Sequence, residues 1–171
     1  MTLKNTLCAI VTALALAMPL NAADIELGAM HNQGKTNSIA TFSQAYKTGK
    51  LNLRLKAEKI GNAPFDVQAI GAYPLAKGYS ISAAEKINVD PSFEPVQYTT
   101  SAGIGKTIGS KADISLSEAV SIKVGSDKKS YLTLFGASYK LGSKAKLCGT
   151  AIVPQAAPTK PMFKATVMYG L

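Results

Sequence analysis

Hydrophobic and polar residues alternate along most of this chain with a period of two, which is typical of β-strands that have one apolar and one polar face. The pattern is clear in residues 51–60, where Leu53 and Leu55 share one face and Arg54 and Lys56 share the other. Helical periodicity is weak throughout, and no segment combines a helix cap with an apolar stripe. The pattern predicts an all-β fold.

Alternation and turn residues divide the chain after residue 22 into about ten strands, with eight as the second choice. The predicted strands are Asp24–Asn32, Thr36–Tyr46, Leu51–Ile60, Phe65–Leu75, Tyr79–Asn88, Val96–Thr107, Ala112–Val124, Ser130–Leu141, Lys144–Val153 and Met162–Leu171. Several have the 9–11 residues that a tilted strand needs to cross a bilayer. Short Gly-containing turns follow the even-numbered strands, and longer connections, mostly with proline, follow the odd-numbered ones. Periplasmic turns and extracellular loops alternate in this way in outer-membrane barrels, and an even strand number places both chain ends in the periplasm.

The first 22 residues have the features of a secretory signal peptide. Lys4 is followed by an apolar run over residues 7–20 and by small residues at Ala22 and Ala23. The run is shorter than the roughly 20 residues that a membrane-spanning helix needs. We therefore expect cleavage after Ala22, or one residue later, and a mature domain over residues 23–171.

The composition of residues 23–171 reduces the number of folds that fit the sequence. No window of 18 consecutive apolar residues remains, so a membrane role requires a closed barrel. Cys148 is the only cysteine in this range, which excludes an internal disulfide. The predicted signal peptide, residues 1–22, holds one lysine and no acid, so its removal lowers the net charge from +9 to +8. The chain has no tryptophan and only 7% aromatic residues, which is sparse for a lipid-facing barrel.

The last ten residues carry a resemblance to a known class of proteins. Phe163, Tyr169 and Leu171 share one face of a strand that runs to the last residue. This strand resembles the closing strand of bacterial outer-membrane β-barrels, although it ends in leucine rather than phenylalanine. The resemblance implies a closed, antiparallel, up-and-down transmembrane barrel that acts as a monomer in the outer membrane, in contact with its lipid and lipopolysaccharide.

Aromatic residues eight positions apart predict a girdle at each edge of the membrane. Phe65 and Tyr73 form one such pair, and Tyr131 and Tyr139 form another. Eight residues cover about 26 Å along a strand, or about 20 Å of depth when tilted, close to the ~25 Å between girdles. Chance core aromatics in a soluble sheet are the alternative. The complete predicted girdle is Phe65, Tyr73, Tyr131, Tyr139, Phe163 and Tyr169.

Four residues do not fit the simple alternation of faces. Glu85 and Glu118 share parity with apolar residues, which would place carboxylates against lipid, while Leu132 and Leu134 would point inward. A position at headgroup level, or a β-bulge that switches parity, would resolve the two glutamates.

The inner face is the predicted functional region. Its charged candidates are Arg54, Lys56, Glu58, Asp66, Asp113, Lys146 and Lys164, and its small residues are Ser101, Gly103, Gly105, Ser115, Ser117 and Ser121. If acids and bases pair, they fill the lumen, and the barrel is a closed, non-enzymatic scaffold that interacts through its outer loops. If basic residues remain unpaired, the lumen is a narrow channel that favours small anionic solutes. The first hypothesis is our main expectation, and a soluble periplasmic β-protein is a further alternative.

Other chemistry has little support in the sequence. His31, Asp90 and Ser92 lie in predicted outer loops and resemble the residue types of outer-membrane lipid A palmitoyltransferases, but the surrounding motif is absent. Cys148 shares a face with basic residues, which can activate a thiol, although a small inward filler is the simpler interpretation. No metal-ligand spacing, phosphate-binding loop or cofactor motif occurs. Dispersed lysines in an exported chain argue against nucleic acid. Lys128, Lys129 and Lys160 suit contact with lipopolysaccharide phosphates.

Overall fold

The computed structural model describes residues 23–92, 94–156 and 160–170 as ten strands and one short 3₁₀ turn. The strands are β1 (Ala23–Asn32), β2 (Lys35–Thr48), β3 (Leu51–Ile60), β4 (Phe65–Pro74), β5 (Tyr79–Val89), β6 (Pro95–Ile108), β7 (Ala112–Lys123), β8 (Lys129–Lys140), β9 (Ala145–Pro154) and β10 (Met162–Gly170). Within these ranges no helix is long and apolar enough to cross a bilayer. The predicted signal peptide, residues 1–22, lies outside the described residues and remains a prediction.

The ten strands form a closed antiparallel barrel. Each strand is hydrogen-bonded to its neighbours in the sequence, and β1 closes the sheet by pairing with β10, so that Ile25 lies opposite Tyr169. Because the closed sheet has no free edge, β10 is paired on both sides and is not an aggregation-prone edge strand, although one of its faces is apolar. The predicted all-β, ten-stranded up-and-down barrel is confirmed, and the eight-stranded alternative is wrong.

The connections divide into two ends. The turn end holds both Ala23 and Gly170 and the connections 49–50, 75–78, 109–111 and 141–144. The loop end holds the connections 33–34, 61–64, 90–94, 124–128 and 155–161. The predicted contrast in length is only partly present, because Gln33 and Gly34 alone join β1 to β2. Both have positive φ values, 49° and 82°, as the tight turn of a two-residue hairpin requires.

Outward positions of the strands are mainly apolar. Exposed large side chains include Leu27 at 61% and Ile104 at 56% relative exposure, which is the pattern of a surface that faces lipid. The predicted girdle residues point outward, with Phe65, Tyr131 and Phe163 near the loop end and Tyr73, Tyr139 and Tyr169 near the turn end. Phe42 and Phe135 are also outward, near the middle of their strands. The girdle therefore remains a prediction.

The two outward glutamates are bonded to neighbouring strands. Thr100 donates a hydrogen bond to Glu85 at 2.9 Å, and Thr133 and Gln155 donate to Glu118 at 3.0 Å and 2.5 Å. The described pairings of β5 through β8 shift register only at Asn88/Val89, so no bulge turns either glutamate inward. The β-bulge explanation is wrong, and hydrogen bonds from the flanking strands lower the cost of an outward carboxylate instead.

Candidate functional site: the barrel lumen

The lumen has two chemically different walls. Most charged side chains of β1, β3, β4, β5, β9 and β10 point inward, with Lys59 and Glu85 as outward exceptions, whereas the inner face of β6 to β8 is mostly Gly, Ser, Ala and Thr. Two inward glycines are needed where backbones approach closely. A Cβ at Gly28 would lie 2.0 Å from the carbonyl oxygen of Ala165, and one at Gly103 would lie 2.5 Å from that of Leu116.

An ionic cluster lies on the charged wall. The Lys56 amino group is 3.2 Å from Glu26 and 3.3 Å from Glu58, and Lys164 also pairs with Glu58. Thr41 donates a further hydrogen bond to Glu58 at 3.0 Å. These charged side chains are between 5% and 15% exposed, so each charge depends on its partners to replace lost hydration. The cluster spans β3, β2, β1 and β10, which are consecutive strands, and so it covers one side of the lumen.

The other inward acids are paired as well. Asp24 pairs with Arg54 at 3.2 Å, Asp66 with Lys86 at 3.1 Å and Asp113 with Lys146 at 2.7 Å. Each of the five inward acids therefore has a basic partner. Among the described residues, four further inward lysines have no acid within 4.0 Å. These are Lys35 and Lys123 at the loop end and Lys47 and Lys140 at the turn end.

All seven charged residues that the sequence marked for the lumen lie on its wall. The structure adds the ion-pair members Asp24, Glu26 and Lys86, as well as the four lysines named above, and the sequence analysis selected none of these for the lumen. Their positions in the alternating pattern could have identified Glu26 and Lys86 as inward residues. Glu26 alternates with Ile25 and Leu27, and Lys86 alternates with Glu85 and Ile87. Lys86 was missed because its neighbour Glu85 made the outer face of β5 ambiguous.

A cavity of about 420 Å³ lies between the two walls in the turn-end half of the barrel. Arg54 and Lys56 line it on the charged side, and Ser115, Gly136 and Ser138 line it on the other. Ser115 points inward and yet is exposed, so this part of the lumen is open space rather than packed side chains. The cavity exists because β6 to β8 supply little side-chain volume opposite the ion pairs.

The residues considered for acyl transfer are not assembled into a catalytic set. The His31 ring nitrogen Nδ1 is 3.1 Å from the Thr36 hydroxyl. Asp90 accepts hydrogen bonds from the backbone N–H groups of Ser92 and Glu94, both at 2.9 Å, and so it shapes its own loop. In the part of the chain that the structure describes, the pairing expected of a nucleophile and its base is missing.

Cys148 points inward, is partly buried and lines the cavity. Within the described ranges, no group of three His, Cys, Asp or Glu side chains is placed to hold a metal ion.

Solved structures resemble this barrel in fold, at low sequence identity. No protein-family model matches the chain, and no curated protein sequence matches it. The NanC porin aligns with a TM-score of 0.55 at 7% identity, over 87% of this chain and 100% of the porin. The KdgM porin gives 0.53 at 12% identity, over 88% and 99%. An outer-membrane channel from Pseudomonas putida F1 gives 0.57 at 8% identity, over 90% and 97%. The chain has the fold of small outer-membrane porins and channels.

Proposed function

We propose that the protein is a narrow diffusion channel of the bacterial outer membrane that favours small anionic solutes. The observation that carries this proposal is the open space inside the barrel, a cavity of about 420 Å³ beside a wall of small residues. Eight-stranded barrels are filled by their own side chains. Ten strands with Gly, Ser and Ala on one wall leave room that such a barrel lacks.

The short connections support an unobstructed lumen. The longest, residues 155–161, has seven residues, and the others have two to five. Connections of this length are typical of hairpins between neighbouring strands. The same shortness weakens the scaffold hypothesis, because little loop surface extends beyond the barrel to bind a partner.

The charge distribution supports a preference for anions. The paired charges of the wall cancel, and the unpaired inward lysines stand at the two mouths, where they raise the local concentration of anions. The ion pairs, in contrast, favour the second candidate function, a closed scaffold, because paired charges hold their side chains in fixed positions inside the lumen. The ionic cluster, however, lies on neighbouring strands and leaves the wall of β6 to β8 unoccupied.

We also infer the placement of the barrel in the membrane. Both ends of the described chain are at the turn end, so the periplasm is their expected location. Lys128, Lys129 and Lys160 then lie at the outer surface, within reach of lipopolysaccharide phosphates. The protein acts as a monomer in this proposal, because each barrel encloses its own lumen. Protease digestion of intact cells that carry an epitope inserted in 124–128 tests the orientation.

Planar-bilayer recording tests the channel. We expect the purified barrel to give stable current steps, and Ser115→Phe to reduce the step size by at least half, because the ring would enter the cavity. Leu116→Phe is the matched control, since this neighbour points to lipid and its exchange should leave the conductance unchanged. Current steps that are absent, or that Ser115→Phe leaves intact, would contradict the channel.

A chemical measurement gives a second readout of the same cavity. A water-soluble thiol reagent should modify Cys148 in the folded barrel and reduce the current, whereas Cys148→Ser should be insensitive. Protection of the thiol until the barrel is unfolded would favour the closed scaffold.

A further inference from the structure

An apolar band lines the loop-end half of the lumen. Leu134 lies directly opposite Ile152, and Ile152 lies directly opposite Met162, so three adjacent strands place large apolar side chains side by side. Leu132 and Pro154 form the next inward pair toward the loops. Directly opposed residues of an antiparallel sheet have Cβ atoms within about 5.5 Å, so these side chains touch one another. Apolar residues in this place are unexpected in a water-filled lumen.

The band is not a closed hydrophobic core. Its residues remain partly accessible, and in the described part of the chain the only buried apolar residues are Ile39 and Ala119. The band therefore presents apolar surface to the interior of the barrel. A solute in the passage can cover that surface and release the water that contacts it.

The facing wall is charged. In a ring of ten strands, β9 lies opposite β4, whose loop-end residue Asp66 pairs with Lys86 and accepts a hydrogen bond from Asn88. At the loop end of the adjacent strand β7 stands Lys123, which is exposed and inward and lies six residues, about 20 Å along the strand, beyond the residue that faces Leu134. The loop-end half of the passage thus combines an apolar surface, a polar wall and a cationic group.

We propose that this passage selects small monocarboxylates with an apolar body. Lys123 attracts the carboxylate to the mouth, and further inside the hydrocarbon part of the solute lies against the band formed by Leu134, Ile152 and Met162. A fully hydroxylated anion of the same charge and size gains the first interaction and loses the second. The inference rests on the proposed channel, and it names the class of solute that the channel prefers.

Hexanoate and gluconate provide matched probes, since both are six-carbon monocarboxylates and differ in apolar character. We expect added hexanoate to interrupt the single-channel current at a concentration at least fivefold lower than gluconate, at equal ionic strength and pH 8. Leu134→Asn should abolish this difference, because a polar amide replaces the central apolar side chain. Leu134→Met should keep it. Ile152→Thr provides a second polar variant if Leu134→Asn fails to fold.

The outcomes separate the two proposals. Wild-type steps that both anions interrupt equally, or a preference for hexanoate that survives both polar variants, would overturn the selection of apolar carboxylates and leave the channel standing. Complete absence of wild-type steps would overturn the channel and this inference with it. Lys123→Gln should weaken the effect of both anions to the same extent, whereas an effect on hexanoate alone would contradict the assigned role of Lys123.

Discussion

At the scale of single residues, the order of the strands around the barrel determines which inward charges form ion pairs. Lys56 and Glu58 stand two apart on β3, so their sequence positions alone put them on one face. Lys164 reaches Glu58 only because β10 closes the barrel beside β1. Sequence reasoning therefore selected Lys56, Glu58 and Lys164 but missed Glu26, and it could not give the pairing of Lys164 with Glu58, which joins residues more than 100 positions apart.

The ion pairs differ in burial, and we expect them to differ in their contribution to stability. Glu58→Gln removes the acid that pairs with Lys56 and Lys164, so that Lys56 keeps only Glu26 and the largely buried Lys164 ammonium loses its described acidic partner. We expect the free energy of unfolding to fall by about 2–4 kcal/mol. Asp113→Asn is the matched control, because the Asp113 side chain is 38% exposed and water replaces its partner at a cost of about 1 kcal/mol or less.

Urea unfolding of the barrel in lipid vesicles measures both changes. Equal losses in the two variants would contradict the importance of burial. A gain in stability with Glu58→Gln would indicate that the cluster is retained for permeation rather than for folding.

At the scale of elements, the strands were largely predictable, but the close approaches between their backbones were not. Alternation located all ten strands, with ends that differ from the structure by at most two residues, because one wet face and one apolar face dictate a period of two. Leu132 and Leu134 looked like errors in that pattern, yet they point inward and form part of the apolar band. In the sequence, only the presence of glycine indicated where the backbones of neighbouring strands approach closely.

The glycines allow a direct comparison between the inner and outer faces. We expect Gly103→Ala to lower the free energy of unfolding by about 1–3 kcal/mol, because its Cβ would lie 2.5 Å from the Leu116 carbonyl oxygen and force the backbones of β6 and β7 apart. Gly71→Ala is the control. Its Cβ would meet nothing closer than 3.7 Å, so a small gain of about 0.5 kcal/mol is expected from reduced freedom of the unfolded chain. The same vesicle unfolding assay applies, and a larger loss at Gly71 would refute the explanation.

At the scale of the whole molecule, the fold and the place of the site follow from the pattern, but the state of the lumen does not. A period of two and an apolar final strand are enough to predict a closed barrel with a charged interior. They cannot show how much volume remains inside, because that depends on which inward residues face each other across the ring. Small residues on β6 to β8 opposite the ion pairs are the decisive arrangement, and it appears only once the strand order is closed.

Ion selectivity is the property of the whole barrel that follows from this arrangement. Since the wall charges are paired, selectivity depends on the lysines at the mouths, and charges exposed to water are screened over about 10 Å at 0.1 M salt and about 3 Å at 1 M. We therefore expect a modest preference for anions that weakens as the salt concentration rises, measured as the reversal potential across a KCl gradient. A preference that is independent of salt would point to a selective charge deep in the lumen instead.

One exchange at the turn end tests that origin. Lys140 is inward, and no described acid lies within 4.0 Å of its amino group, so Lys140→Glu places a carboxylate at the mouth and should shift the reversal potential toward cation selectivity. Lys106→Glu makes the same change in charge at the same end of the barrel. Lys106, however, points outward over the Tyr79 ring, 3.7 Å from its centroid, where the pore does not sense it. Equal shifts in the two variants would mean that total charge, rather than charge at the mouth, controls permeation.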